Sequence, residues 1–163
     1  MSFTTRTKTT KDDWQTPIEI VRKLGSFDLD PCANCNDPTR LANRGFTIKD
    51  DGLSQTWSGR VWLNPPYGRD AKVWLSRLAD HGNGIALIPP RVGAHWFHDI
   101  VLETFDAIFF HRWRIDFIDP QTGIEFDNKS NADSVLIAYG ANNVDALEKA
   151  DFPGKLWRRL NTL

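Results

Sequence analysis

Two short apolar runs in this chain end in paired prolines. Val61-Trp62-Leu63 runs into Asn64-Pro65-Pro66-Tyr67, and Ile85-Ala86-Leu87-Ile88 stops at Pro89-Pro90. A continuous apolar run of this kind reads as a strand buried on both faces, as parallel strands covered by helices are. Proline has no N–H and keeps its predecessor extended, so the chain leaves each strand without curling into a helix. Between the two runs, Asp70 to Asp80 carries a helical stripe of Val73, Trp74, Arg77 and Leu78. Strand, helix and strand in that order predict α/β layering.

The rest of the chain continues the alternation. Thr16-Pro17 opens a helix that stops at Gly25, with Thr as N-cap and Pro at the first helical position. Phe27 to Asp30 predicts a strand ended by Pro31, and Phe46-Thr47-Ile48 a second one. A helix is expected around Ala94–Glu103, followed by a strand over Ala107–Phe110. Arg114–Phe117 and Ile124–Phe126 alternate around Asp119-Pro120-Gln121-Thr122-Gly123, which predicts a hairpin. Ser134–Tyr139 is expected to be the last strand. The expected architecture is a three-layer α/β domain over residues 14–163, mostly parallel with a late antiparallel portion, behind a polar leader at 1–13. Ligands in such sheets sit beyond the carboxyl ends of the strands, and Asp30 and Asn64 both fall there.

Asn64-Pro65-Pro66-Tyr67 carries the most specific chemistry. An Asn side-chain oxygen and a Pro65 carbonyl together offer two acceptors for the two N–H groups of an aryl amine. Tyr67 can lie flat on the attached ring. The same four residues also suit a plain stiff turn.

The formal net charge of −1 gives no overall basic footprint, so any nucleic-acid contact must use local patches. Candidates are Arg6, Lys8 and Lys11 in the leader, Arg112 and Arg114, and Lys155, Arg158 and Arg159. Cys32-Ala-Asn-Cys35 has no second cysteine pair, and no histidine stands at zinc-finger spacing from it. The pair is read as small loop residues, and no metal is expected. No apolar run reaches membrane-spanning length and the first residues lack a signal-peptide core, so a cytosolic protein is expected.

Taken in order, Trp14-Gln15-Thr16-Pro17, Phe27-Asp28-Leu29-Asp30-Pro31-Cys32-Ala33, Asp51-Gly52-Leu53 with Trp57, and Asn64-Pro65-Pro66-Tyr67 resemble the phage-type, Dam-like DNA adenine-N6 methyltransferases. The similarity continues through Leu87–Pro90, Trp96-Phe97, Arg114–Phe117 and Ser134–Leu136. It implies a single-domain Rossmann-like fold and S-adenosylmethionine (SAM) as methyl donor. It further implies that Trp14, Thr16 and Pro17 lie near the methionine end of the cofactor. Asp30, Pro31, Cys32 and Ala33 would form its first loop, and Asp51 would lie near its adenine. Asn64, Pro65, Pro66 and Tyr67 would hold a flipped adenine of double-stranded DNA. From the residues themselves, Arg69 and Arg91 flank the expected mouth. A hairpin over 112–126, with Arg112, Arg114, Trp113, Phe117 and Phe126, is the candidate DNA contact, but Asp116, Asp119 and Glu125 dilute its charge and a core or edge hairpin fits it equally.

Two features depart from the larger enzymes. Ala33-Asn34-Cys35-Asn36 replaces their glycine-rich turn, and the span from Asp30 to Asn64 has room for one strand rather than two. Two alternatives remain open at this level. One is another planar nitrogen as acceptor, such as an RNA base or a glutamine amide. The other is a non-catalytic SAM- or DNA-binding phage protein.

Overall fold

The computed structural model, which describes residues 15–119, 123 and 133–160, forms one seven-stranded sheet in the order β2-β1-β3-β4-β6-β5-β7. The strands are β1 (Leu29–Asp30), β2 (Arg44–Gly45), β3 (Val61–Leu63), β4 (Gly84–Ile88), β5 (Ala107–His111), β6 (Val135–Tyr139) and β7 (Gly154–Arg158). Helices α1 (Ile18–Lys23), α2 (Ala71–His81) and α3 (Ala141–Lys149) and a π-helix over Phe97–Leu102 complete it. No helix among the described residues is long and apolar enough to cross a membrane.

β2, β1, β3 and β4 are parallel neighbours, with Leu29 beside Arg44 and Val61, and Leu63 beside Ala86. β6 runs antiparallel to both β4 and β5, so β5 points the same way as β4 with a reversed strand between them. β7 adds an antiparallel edge to β5. The mixed α/β character expected from the sequence is therefore present, with a parallel half and a longer antiparallel half than anticipated.

Apolar side chains pack on both faces because the central strands alternate outwards to two covers. On one face Trp62, Ile85, Leu87, Phe109 and Leu136 meet Val21 and Leu24 from α1 and its end, and Val144 and Leu147 of α3. On the other, Leu63, Ala86, Ile88 and Ile137 meet Leu75 and Leu78 of α2 and Phe97 and Val101 of the π-helix. β4 and β6 are buried along their whole length, which is why they read as unbroken apolar runs. Gly82 ends α2 at φ 70°, the left-handed position that favours glycine after a helix.

Four expectations change. α1 starts at Ile18 with Pro17 at its N-cap and no side-chain cap, and the Thr16 hydroxyl accepts from the Asn64 amide instead. The second strand lies at Arg44–Gly45 rather than Phe46–Ile48. The Asp50 carboxylate accepts the Thr47 N–H and hydroxyl, both at 2.8 Å, and folds Thr47–Asp50 into a turn away from the sheet. Arg114–Phe117 is not a strand; instead Ile118 exchanges backbone hydrogen bonds with Gln15 at 2.9 and 3.0 Å. The second arm, Ile124–Phe126, lies outside the described residues, as does the leader. Ser134–Tyr139 does not end the sheet, because α3 returns the chain and β7 pairs from Ala107–Arg158 to His111–Gly154.

Candidate functional site

The parallel strands deliver their carboxyl ends to one edge of the sheet, and a cleft of about 500 Å³ opens there. Its walls are Gln15 and Thr16, the loop after β1, the loop after β2, and Asn64 to Tyr67 after β3. Trp74 from α2 and Phe117 close two sides. That volume lies within the ordinary range for small-molecule sites.

Asn64 leaves β3 directly into this cleft. Its amide nitrogen donates to the Thr16 hydroxyl at 3.2 Å. Thr16 is almost wholly buried, so the amide is held in one orientation. With the nitrogen turned to Thr16, Oδ1 is the end left to accept, and it meets no donor among the described residues. The Pro65 carbonyl likewise receives no backbone donor among the described residues. Tyr67, two residues on, stays 38% exposed at the cleft mouth. Its surroundings hold its hydroxyl above the usual tyrosine range by desolvation, so it is neutral near neutral pH.

Asp30 ends β1 and is 5% exposed. It accepts the Cys32 N–H at 3.0 Å, an Asx turn that shapes the loop Pro31–Asn36 without glycine. Burial pushes its carboxyl up to about 7, against smaller stabilising effects of the Cys32 N–H and the Arg40 charge. The Cys32 thiol is held well above its ordinary value, first by burial and then by Asp30. Both cysteines are free, Cys35 being exposed. Among the described residues no group of three His, Cys, Asp or Glu side chains is arranged to hold a metal.

Asp51 sits in a loop that is braced from below. The Trp57 indole donates to the Gly52 carbonyl at 2.8 Å, Trp57 stacks on Trp74 with centroids 6.3 Å apart, and Arg77 lies over Trp57 while donating to the Leu53 and Gln55 carbonyls. Asp51 takes φ 51°, a left-handed conformation that Asp tolerates. A Cβ on Gly52 would meet the Pro31 carbonyl oxygen at 2.2 Å, so the loops after β1 and β2 touch backbone to backbone.

The structure thus brings together Thr16, Asp30, Pro31, Cys32, Ala33, Asp51, Asn64, Pro65, Pro66 and Tyr67 around one cleft. Pro17 does not line it; it borders a separate depression with Lys23 and His111. Trp14 lies outside the described residues. Sequence reasoning missed Arg40, Ile48, Trp74 and Phe117 as cleft residues. Ile48, expected in a strand, is 89% exposed in the loop beyond β2. Phe117, for which DNA contact and a core position were both open, is buried and lines the cleft.

The four arginines proposed to contact DNA stand on loops beyond the carboxyl ends of strands, Arg69 after β3, Arg91 after β4, Arg112 and Arg114 after β5; none lines the cleft, and Arg114 borders the separate depression. All are exposed. Arg112 lies over the Trp113 ring at 5.2 Å, and Arg114 pairs with Asp133 at 3.4 Å. Arg158 and Arg159 fall at the opposite edge of the sheet, where they bind Glu148 and the Glu103 carbonyl.

Comparison with known proteins gives two findings. A family model described as DNA N-6-adenine-methyltransferase (Dam) matches residues 3–145. The chain is also 28% identical over 142 residues to the DNA N-6-adenine-methyltransferase of Haemophilus phage HP1 (strain HP1c1), covering 81% of this chain and 80% of that one. No solved structure matches.

Proposed function

The chain belongs to the DNA N-6-adenine-methyltransferase (Dam) family, and we propose that it transfers a methyl group from SAM to N6 of an adenine flipped out of double-stranded DNA. The observation that carries this is the Asn64 amide. Its nitrogen is tied to Thr16, which leaves Oδ1 and the Pro65 carbonyl as two acceptors with no donor among the described residues, beside the exposed Tyr67 ring.

The residues of the cleft fit SAM. A sulfonium cation with an amino-acid tail and a nucleoside needs carboxylates, one cation and a roomy apolar slot. Asp30, Asp51, Arg40, Ile48 and Trp74 supply that set around about 500 Å³. Parallel strands that bring their loops to one edge support a Rossmann-like methyltransferase arrangement. When bound, SAM supplies an electrophilic methyl carbon, which bonds to N6 as its bond to sulfur breaks.

The chain's own residues orient the acceptor. Adenine N6 is a weak nucleophile because its lone pair is delocalised into the ring. Asn64 Oδ1 and the Pro65 carbonyl accept its two N–H bonds, draw the nitrogen towards a tetrahedral shape and stabilise the positive charge that grows on it. Tyr67 stacks on the base, worth roughly 1–3 kcal/mol against the few kcal/mol that flipping costs. No side-chain base is needed, since the extra proton leaves to water after transfer. Arg69 and Arg91 meet phosphates around the mouth, and Arg112 and Arg114 extend that contact.

The test is mass spectrometry of nucleosides from unmethylated duplex DNA incubated with labelled SAM, with Asn64→Ala in parallel. Labelled N6-methyl-2′-deoxyadenosine that disappears in the variant, while SAM binding persists, is the expected result. Label on RNA or on a glutamine amide, and none on DNA, would move the activity to another acceptor. SAM binding with no acceptor labelled would leave a binding protein.

A further inference from the structure

The described lining of the cleft holds three carboxylates, Asp30, Asp37 and Asp51, but one cation, Arg40. Arg40 reaches in from the loop before β2 and is half-buried. Its Nη1 donates to the Thr16 carbonyl at 2.8 Å, and it makes no ion pair within 4.0 Å among the described residues. A guanidinium has five N–H donors, so most of this one's are unspent on acceptors among the described residues. Desolvation works against its charge, and only the more distant fields of Asp37 and Asp30 offset that. A half-buried arginine with idle donors inside a cleft is suited to a planar carboxylate from a ligand, gripped by two parallel hydrogen bonds.

Position narrows which carboxylate. Thr16 links two features: its carbonyl holds Arg40, and its hydroxyl holds the Asn64 amide. Arg40 is also near enough to Asp30 to act on its ionisation. Methyl transfer at Asn64 requires the donor's sulfur there, and an ethylene bridge then separates that sulfur from an amino-acid zwitterion. A zwitterion needs a carboxylate and a cation side by side, which Asp30 and Arg40 provide.

Resting on the SAM assignment above, we propose that Arg40 binds the α-carboxylate of the cofactor's methionine end, opposite Asp30 at its ammonium. Arg40 is then the residue that distinguishes an amino-acid-bearing nucleoside from a bare thioether nucleoside.

Calorimetric titration of the full chain tests this without turnover. The probes are S-adenosylhomocysteine, which keeps the zwitterion without the sulfonium charge, and its decarboxylated analogue. Wild-type protein should lose about 10- to 100-fold in affinity on decarboxylation, the scale of a charge-assisted hydrogen-bonded pair. Arg40→Gln should lose a similar factor for S-adenosylhomocysteine and almost none for the decarboxylated probe, and Arg40→Lys should recover part of it. Equal weakening of both probes in Arg40→Gln would make Arg40 a brace for Thr16 only and overturn the proposal. Wild-type protein that binds both probes equally overturns it with no variant involved. Failure of the wild type to bind SAM or S-adenosylhomocysteine at all would overturn the cofactor assignment itself, and this role with it.

Discussion

Replacing Asp30 with asparagine keeps the side chain's shape and its acceptor for the Cys32 N–H, and removes only the ionisable proton. In the folded protein without ligand, burial raises the Asp30 carboxyl from 3.8 to about 7. The folded state therefore holds a proton that the unfolded chain has already released, across the interval between those values. Stability from this group is fully present below about 3.8 and is lost as pH rises through about 7, because the unfolded state binds fewer protons there. The difference of about three pH units corresponds to about 4 kcal/mol in full. Between about pH 5 and about pH 7.5 the wild type should lose about 2.5 kcal/mol relative to Asp30→Asn, which has no such proton. The assay is urea denaturation of both ligand-free proteins at several pH values. Taking the difference between them cancels every other titrating group. A margin that stays constant across that range would refute the reasoning, because it would mean that the Asp30 carboxylate is compensated in the fold.

Thr16→Val removes the hydroxyl that holds Asn64 while nearly keeping the side-chain volume. A fall in kcat of about 10- to 100-fold is expected, with Thr16→Ser close to wild type, measured as steady-state methylation of duplex DNA. Gly52→Ala puts a Cβ 2.2 Å from the Pro31 carbonyl oxygen; it should destabilise the fold by about 1–3 kcal/mol and weaken SAM binding, read by denaturation and calorimetry. Arg91→Gln should weaken DNA binding and flatten its dependence on log salt by about one unit, whereas Arg158→Gln, at the far edge of the sheet, should leave that slope unchanged.

The sequence was most legible where burial and backbone chemistry agree. Val61–Leu63 and Ile85–Ile88 are buried on both faces and stopped by prolines, so their strands and the position of Asn64 beyond one of them followed directly. β2 was displaced because a local side-chain bond, Asp50 to Thr47, decides where the extended segment ends, and apolar pattern does not report such bonds. β7 was hidden because only Leu156 of its residues turns to the core, while Trp157 is 67% exposed. In the candidate site, ten residues named from motifs line one cleft and Pro17 does not, yet Arg40 was invisible. Its place depends on a hydrogen bond to a residue far back in the chain, and nothing in its local sequence signals that contact.

The reversed strand β6 has a consequence for synthesis of the chain. Almost every wall of the cleft is encoded before Pro89, and all five residues of β4 take their outer partners from Val135–Tyr139. A ribosome therefore completes the binding loops well before the strand that covers β4 emerges. Until then β4 presents an apolar, unpaired edge of the kind that recruits other extended chains. A message truncated ahead of Val135 would direct synthesis of a polypeptide carrying the whole Asn64–Tyr67 element and prone to aggregate rather than act, so the segment from Val135 onward governs yield even though it adds nothing to the described lining of the cleft.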